Sequence, residues 1–159
     1  LLTKKYPDWK LKIIGIGKLK DSLIKEINNR KLNDQVILID SQTNIEKIYL
    51  SSQLFVSSSI YESFGYVVAE ALHYGLPVIG FKKCLGINHL IKNNLNGILV
   101  EGSFYNYDKL SLKMDELMQD DFKRQKLAKY DSNISSVYNL DNIISKWQKH
   151  INELLIKYK

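Results

Sequence analysis

Residues 58–79 have the sequence SSIYESFGYVVAEALHYGLPVI, and the rest of the chain is organised around this stretch. The pattern predicts a loop, then a short helix over residues 65–74, then a buried strand over residues 77–81. Gly75 stands where glycine commonly ends a helix. Pro77 can open the strand because the first residue of a strand need not donate to the ladder. This stretch therefore predicts one loop, helix and strand unit of an α/β fold.

The start of this helix suits a bound anion. Gly65 allows a tight turn, and the first N–H groups of a helix have no partner within it. The aligned peptide dipoles add about half a positive charge at that end, so a phosphate or diphosphate is the expected guest. Glu62 precedes the helix and Glu70 lies inside it. Carboxylates accept hydrogen bonds but repel phosphate, so we expect both beside the neutral, hydroxyl-rich parts of the ligand.

Apolar runs and amphipathic segments alternate along the chain. This alternation predicts a doubly wound parallel sheet, a Rossmann-like three-layer α/β/α domain with extra C-terminal helices. Asn96-Gly97 is interpreted as a tight turn that leads into the last strand. The predicted strands are residues 11–17, 36–39, 53–57, 77–81 and 98–100, and the predicted helices are residues 18–30, 44–50, 65–74, 87–93, 106–118, 121–130 and 141–158.

In such sheets ligands bind beyond the carboxyl ends of the strands. The loops there are residues 15–17, 40–43, 57–65 and 82–86, and we expect them to converge on one crevice. Gly15 and Gly17 begin a dinucleotide-binding pattern, but its third glycine is replaced by Lys20, so that motif fails. We interpret this turn as the lining of a nucleotide cleft.

Composition narrows the class of protein. The 159 residues suit one domain, and 45% apolar with 25% charged residues is typical of a globular protein. Cys84 is the single cysteine, which excludes an intramolecular disulfide and fits a reducing cytoplasm. The net charge of +6 is spread over scattered lysines, which favours a solvated surface. Neither a nucleic-acid-binding pattern nor metal-ligand spacing is present in the sequence.

Three further features are left with structural interpretations. His73 is expected to contact the last carbonyls of its helix, and Cys84 to be a packed thiol. His89 is open between a surface role and a ligand contact. An apolar stripe on the last predicted helix favours a core position over a membrane face, and an interdomain surface is left open as an alternative. The stripe consists of Ile143, Ile144, Trp147, Ile151, Leu154 and Leu155.

Four ordered motifs together resemble a known family. They are SIYESFG at 59–65, EA at 70–71, GLPVI at 75–79 and NGILV at 96–100. They are similar to the carboxy-terminal, donor-binding domain of GT-B glycosyltransferases, most like the retaining family four, the glycosyl transferases group 1. The resemblance implies half of a GT-B fold and a hexosyltransferase that uses a UDP- or GDP-linked sugar without a metal or cofactor. It also implies a glycan or lipid-linked acceptor and a setting in cell-surface polysaccharide synthesis.

The resemblance also implies roles for single residues. Glu62 is the implied catalytic residue near the reactive carbon of the donor sugar, and Glu70 accepts hydrogen bonds from the ribose. Backbone N–H groups at the helix start hold the diphosphate, the first glycine turn lies near the phosphates, and the loop after residue 38 lies near the base. The implied donor-binding residues are Ser63, Phe64, Gly65, Tyr66, Val67, Glu70, Gly15, Gly17, Ile39, Asp40 and Ser41.

The same resemblance sets expectations for the rest of the protein. We expect a fragment that lacks the first strand and an amino-terminal acceptor domain, and that is inactive alone. The expected location is the cytoplasm, with peripheral contact at the inner face of the membrane, and nucleic acid is not an expected partner. Two alternatives stay open: a non-catalytic module that binds a nucleotide-sugar or a partner, and a GT-B nucleotide-sugar epimerase.

Overall fold

The computed structural model describes residues 2–103, 106–130 and 134–158. The strands are β1 (Leu11–Ile14), β2 (Val36–Ile39), β3 (Phe55–Val56), β4 (Val78–Phe81) and β5 (Gly97–Val100). The helices are α1 (Leu2–Lys5), α2 (Lys20–Asn29), α3 (Glu46–Leu50), α4 (Tyr66–His73), α5 (Leu85–Asn88), α6 (Tyr107–Gln119), α7 (Asp121–Ala128), α8 (Ile134–Val137) and α9 (Leu140–Lys157).

Every described strand pair is parallel, as predicted. β1 pairs with β2, with Leu11 opposite Val36. The order of the other strands is β3-β4-β5, with Val78 opposite both Phe55 and Gly97. Among the described strands, no ladder joins the two sets, so the predicted single sheet consists of a two-stranded and a three-stranded part. Helices between successive strands provide the crossovers that parallel pairing requires.

The core is built around the central strand β4. All four residues of β4 are buried, as expected for a parallel strand that is covered on both faces. Val68 and Ala71 of α4 pack into this core from one helix face, and Leu117 contributes from α6. The two-stranded part is different, because Leu11, Ile14 and Ile37 are exposed. Tight packing thus supports the loops around α4 most directly.

The predicted turn into β5 is present, but it lies at residues 94–96, one position earlier than predicted. Gly97 is the first residue of β5, and a Cβ there would lie 2.2 Å from the carbonyl oxygen of Val78. Asn96 is buried, accepts a 2.8 Å bond from the N–H of Lys92 and donates to the carbonyl of Leu90. The left-handed residue is Asn94, with φ of +62°.

Several element boundaries differ from the predicted ones. The helix predicted over residues 87–93 is α5 and begins earlier, and the strand predicted over 53–57 shortens to β3. The sequence did not predict α8. His73 contacts α8 instead of its own helix end, with 2.6 Å between its Nδ1 and the Oγ of Ser135. This contact joins α8 to the end of α4.

The C-terminal helix α9 lies outside the core. None of its residues is buried, and Trp147 is 62% exposed, so the prediction that its apolar stripe is a core face is wrong. The stripe stays exposed because the described elements do not cover it. No helix in the described part of the chain is long and apolar enough to cross a membrane.

Candidate functional site

The centre of the candidate site is the first turn of α4. Gly65 caps this helix in the left-handed conformation, with φ of +83°, and a Cβ there would lie 2.5 Å from Cγ2 of Ile87. The N–H groups of Val68 and Ala69 both bond to the carbonyl of Gly65. Among the described hydrogen bonds, none starts from the backbone N–H of Tyr66 or Val67. Two backbone donors at the positive end of the helix dipole are therefore available.

Glu62 is held in the loop before this helix. Its Oε1 accepts a 2.9 Å hydrogen bond from the hydroxyl of Ser59. The backbone of Gly86 packs against the same residue, since a Cβ on Gly86 would lie only 1.9 Å from the carbonyl oxygen of Glu62. A glycine at position 86 therefore allows α5 to support the loop that carries this carboxylate.

Cys84 lies beneath the Glu62 loop as a buried free thiol, in agreement with the sequence interpretation. Burial, and after it the charge of Glu62, raises the pKa of the Cys84 thiol. Hydrogen bonds from backbone N–H groups, including those of Gly86 and Ile87, oppose this rise in pKa without cancelling it. The thiol form that results is a packing group and a weak nucleophile.

Glu70 lies on the exposed side of α4. One of its oxygens, Oε2, accepts a 2.9 Å hydrogen bond from the hydroxyl of Tyr49. Tyr49 belongs to α3 and is buried, and it lies outside the motifs that indicated the site. The residues around Tyr49 in the sequence form no motif that would indicate a contact with Glu70. The structure thus adds one residue to those that the sequence associated with the site.

An aromatic group surrounds the loop next to Glu62. The ring of Phe64 lies 5.0 Å from that of Tyr66, 5.6 Å from His89 and 5.0 Å from Tyr138. Tyr66 is largely exposed, as is the neighbouring Ser63. His89 therefore lies at the rim of the candidate site, and the segment between α8 and α9 reaches the same rim through Tyr138.

The remaining predicted residues follow β1 and β2. The N–H of Gly15 bonds to the carbonyl of Ile39 at 2.9 Å, and Asp40 forms an ion pair with Lys20. Gly17 is open, with no atom within 4 Å of the point that a Cβ would occupy. Ser41 follows in the loop after β2. The loops after β1 and β2 are therefore connected to each other. Among the described residues, no hydrogen bond or ion pair connects these two loops to the Glu62 loop.

The described residues contain no cluster of three His, Cys, Asp or Glu side chains that could hold a metal ion. The candidate site therefore consists of backbone N–H groups at the start of α4, which can bind an anion, and of two carboxylates, which can accept hydrogen bonds from hydroxyl groups.

Comparisons with known proteins agree on one family. The model of the family "Glycosyl transferases group 1" matches residues 1–133. A curated relative, the poly(glycerol-phosphate) alpha-glucosyltransferase of Bacillus subtilis, is 30% identical over 155 residues, which are 98% of this chain and 23% of that protein. The chain thus spans about a quarter of the length of this relative.

Solved structures show the same likeness. TarM of S. aureus, in a complex with fondaparinux, alpha-GlcNAc-glycerol and UDP, has a TM-score of 0.84 and 30% identity. The match covers 93% of this chain and 30% of TarM. The C-terminal domain of LpcC, a glycosyl transferase group 1 family protein of Francisella tularensis, has a TM-score of 0.72 and 28% identity, with 86% and 72% covered. These matches confirm the predicted Rossmann-like fold.

Proposed function

Because this chain belongs to the family of glycosyl transferases group 1, we propose that it is the donor-binding domain of a retaining GT-B glycosyltransferase. The enzyme transfers a sugar from a nucleoside diphosphate sugar to a glycan or lipid-linked acceptor in cell-surface polysaccharide synthesis. The names of the B. subtilis relative and of the TarM complex with UDP support this setting. Residues 1–159 act as one domain beside an acceptor domain of the same protein.

The observation that carries the proposal is the first turn of α4. The free N–H groups of Tyr66 and Val67 receive the diphosphate of the donor, and Gly65 provides the left-handed turn with which the helix begins. The same donors stabilise the charge that develops on the departing diphosphate, so the step needs neither a metal nor a cofactor. Gly15 and Gly17 lie along the phosphates in this arrangement.

The two carboxylates bind neutral hydroxyl groups. Glu70 accepts hydrogen bonds from the ribose, and Glu62, held by Ser59, acts as the catalytic residue beside the reactive carbon of the sugar. The backbone at Ser63 and Phe64 contacts the same sugar. The base lies against the loop at residues 39–41.

Titration of the full-length protein with UDP tests the donor site. We expect Glu70→Ala to weaken UDP binding about tenfold, because it removes charge-assisted acceptors for the ribose. Glu62→Ala should lower turnover of the UDP-sugar and leave UDP affinity close to that of the wild type. Glu153→Ala is the matched control, since Glu153 is an exposed glutamate on α9. Wild-type affinity in Glu70→Ala would contradict the proposed donor site.

Turnover separates the proposed enzyme from its alternatives. A non-catalytic module binds UDP but neither hydrolyses nor transfers sugar from any UDP- or GDP-linked donor, even in the full-length protein. An epimerase changes the sugar without releasing it from the nucleotide. Release of UDP or GDP that depends on Glu62 is the result expected for a glycosyltransferase.

We also propose that the protein works in the cytoplasm, in peripheral contact with an anionic membrane surface. Lys146 and Lys149 beside the exposed Trp147 on α9 support this location. Co-sedimentation of the full-length protein with vesicles of phosphatidylglycerol, but not phosphatidylcholine, is the expected result. Equal recovery with both vesicles would contradict it.

A further inference from the structure

We propose that Tyr49 is a positioning residue whose hydroxyl holds the Glu70 carboxylate in the orientation that receives the ribose of the donor. The inference rests on the proposed role of Glu70 in ribose binding. Its basis is the 2.9 Å hydrogen bond from the Tyr49 hydroxyl to Oε2 of Glu70, across 21 positions of sequence. The same hydroxyl lies 3.5 Å from the carbonyl of Val67, and its single proton favours the shorter, charged acceptor.

The ring of Tyr49 is held firmly by its neighbours. The residue is 6% exposed, and its ring stacks on Tyr74 with centroids 5.3 Å apart and an interplanar angle of 15°. The ring of Phe55, on β3, lies 6.3 Å away at a tilt of 48°. A ring enclosed in this way places its hydroxyl at one point, so the hydrogen bond fixes where Oε2 of Glu70 lies.

The kind of partner matters as much as its position. In the described part of the chain, Glu70 forms no ion pair. Its hydrogen-bond donor, the hydroxyl of Tyr49, is neutral and occupies only Oε2, so that Oε1 remains available to a ligand. Glu116 shows the opposite arrangement, because Lys113 and Lys123 bind its two oxygens. A neutral donor therefore orients Glu70 while its charge remains available to ribose hydroxyls.

The protonation state of Tyr49 supports the same role. Burial, and after it the hydrogen bond to Glu70, raises the pKa of the Tyr49 phenol well above its ordinary value. The phenol therefore stays protonated around neutral pH and remains the donor of the hydrogen bond to Glu70. An ordered carboxylate loses less conformational freedom when the ribose binds, which improves affinity.

A purely structural role for the hydroxyl is the competing explanation. In that case the bond to Glu70 only satisfies a buried polar group, and its loss affects stability without regard to the ribose. The two explanations differ in their dependence on the ribose hydroxyls. The probes are therefore UDP and dideoxy-UDP, which lacks both of these hydroxyls.

The experiment measures the affinities of the full-length protein for both nucleotides by calorimetry. Tyr49→Phe keeps the ring and its stack on Tyr74. We expect it to weaken UDP binding about three- to tenfold, in line with the net contribution of one ordinary hydrogen bond, and to leave dideoxy-UDP binding unchanged. Tyr74→Phe is the matched control and should change neither affinity, because the described structure has no hydrogen bond from its hydroxyl. Within Glu70→Ala, a further Tyr49→Phe change should have no effect on UDP binding.

Each result decides between the explanations. Equal weakening for both nucleotides, wild-type UDP affinity in Tyr49→Phe, or an additive loss in the double variant overturns the positioning role. The ratio of the affinity for UDP to the affinity for dideoxy-UDP depends only on folded molecules, so a partial loss of stability does not change it. Should Tyr49→Phe fail to fold, the ratio in Glu70→Gln, which keeps an acceptor for Tyr49, must still exceed that in Glu70→Ala. Wild-type UDP affinity in Glu70→Ala overturns the proposed donor site itself, and the inference with it.

Discussion

Replacing Gly86 with alanine should disturb the Glu62 loop more than its small size suggests. The added Cβ would lie 1.9 Å from the carbonyl oxygen of Glu62, and ordinary contact begins at 3.4 Å, so the two backbones must separate by about 1.5 Å. Such overpacking costs about 1–3 kcal/mol, which lowers the midpoint of this domain's thermal unfolding by roughly 2–12 °C. With Glu62 in its proposed catalytic role, a displacement of this size also costs about 100-fold in turnover.

The assay pairs thermal unfolding with turnover of the UDP-sugar by the full-length protein. Gly17→Ala serves as the stability control, because no atom lies within 4 Å of its Cβ position and its φ is not positive. That variant should be as stable as the wild type or more stable by about 0.4–1 kcal/mol. A Gly86→Ala protein with unchanged unfolding and unchanged turnover would refute the close approach of α5 to Glu62.

Two further predictions concern the packing behind the site. Arg124 is 8% exposed and donates to the carbonyl of Leu117, so Arg124→Met should lower the free energy of unfolding by about 1–3 kcal/mol; a urea transition at the wild-type midpoint would contradict this. Hydrogen bonds from Lys5, foremost, and Tyr6 lower the pKa of the Asp115 carboxyl. Its folded pKa is thus below its unfolded pKa of about 3.9, and the stability it contributes is present above that value and lost as pH falls through the folded pKa. Asp115→Asn should therefore flatten the dependence of the unfolding midpoint on pH in this acid range, and an unchanged profile would contradict the pairing.

The sequence was informative where local chemistry decides the structure. Val78 to Phe81 form a continuous apolar run, and a strand buried on both faces needs such a run. Gly65 was expected at the start of a helix, and it has the left-handed conformation that only glycine adopts readily. These features depend on neighbouring residues, and therefore the order of strands and helices could be predicted.

The prediction failed where distant packing overrides a local pattern. Asn96-Gly97 was predicted as the turn itself, but the turn lies at residues 94–96, and Gly97 belongs to β5, where the carbonyl of Val78 lies against it. The stripe on α9 has the period of a core helix, yet Trp147 is exposed. Periodicity reports that a face is apolar and does not report what covers it.

The sequence by itself determined the parallel α/β fold and the helix at residues 65–74. It also led to the hypothesis that a phosphate-binding turn lies beside Glu62 and Glu70. Only the tertiary structure revealed that Tyr49 bonds to Glu70 and that Gly86 packs against the backbone of Glu62. Local propensity acts through neighbouring residues, whereas these contacts join segments that lie 21 and 24 positions apart and meet only when the helices pack on β4. The helix start was thus readable from the sequence, and the support of its two carboxylates was not.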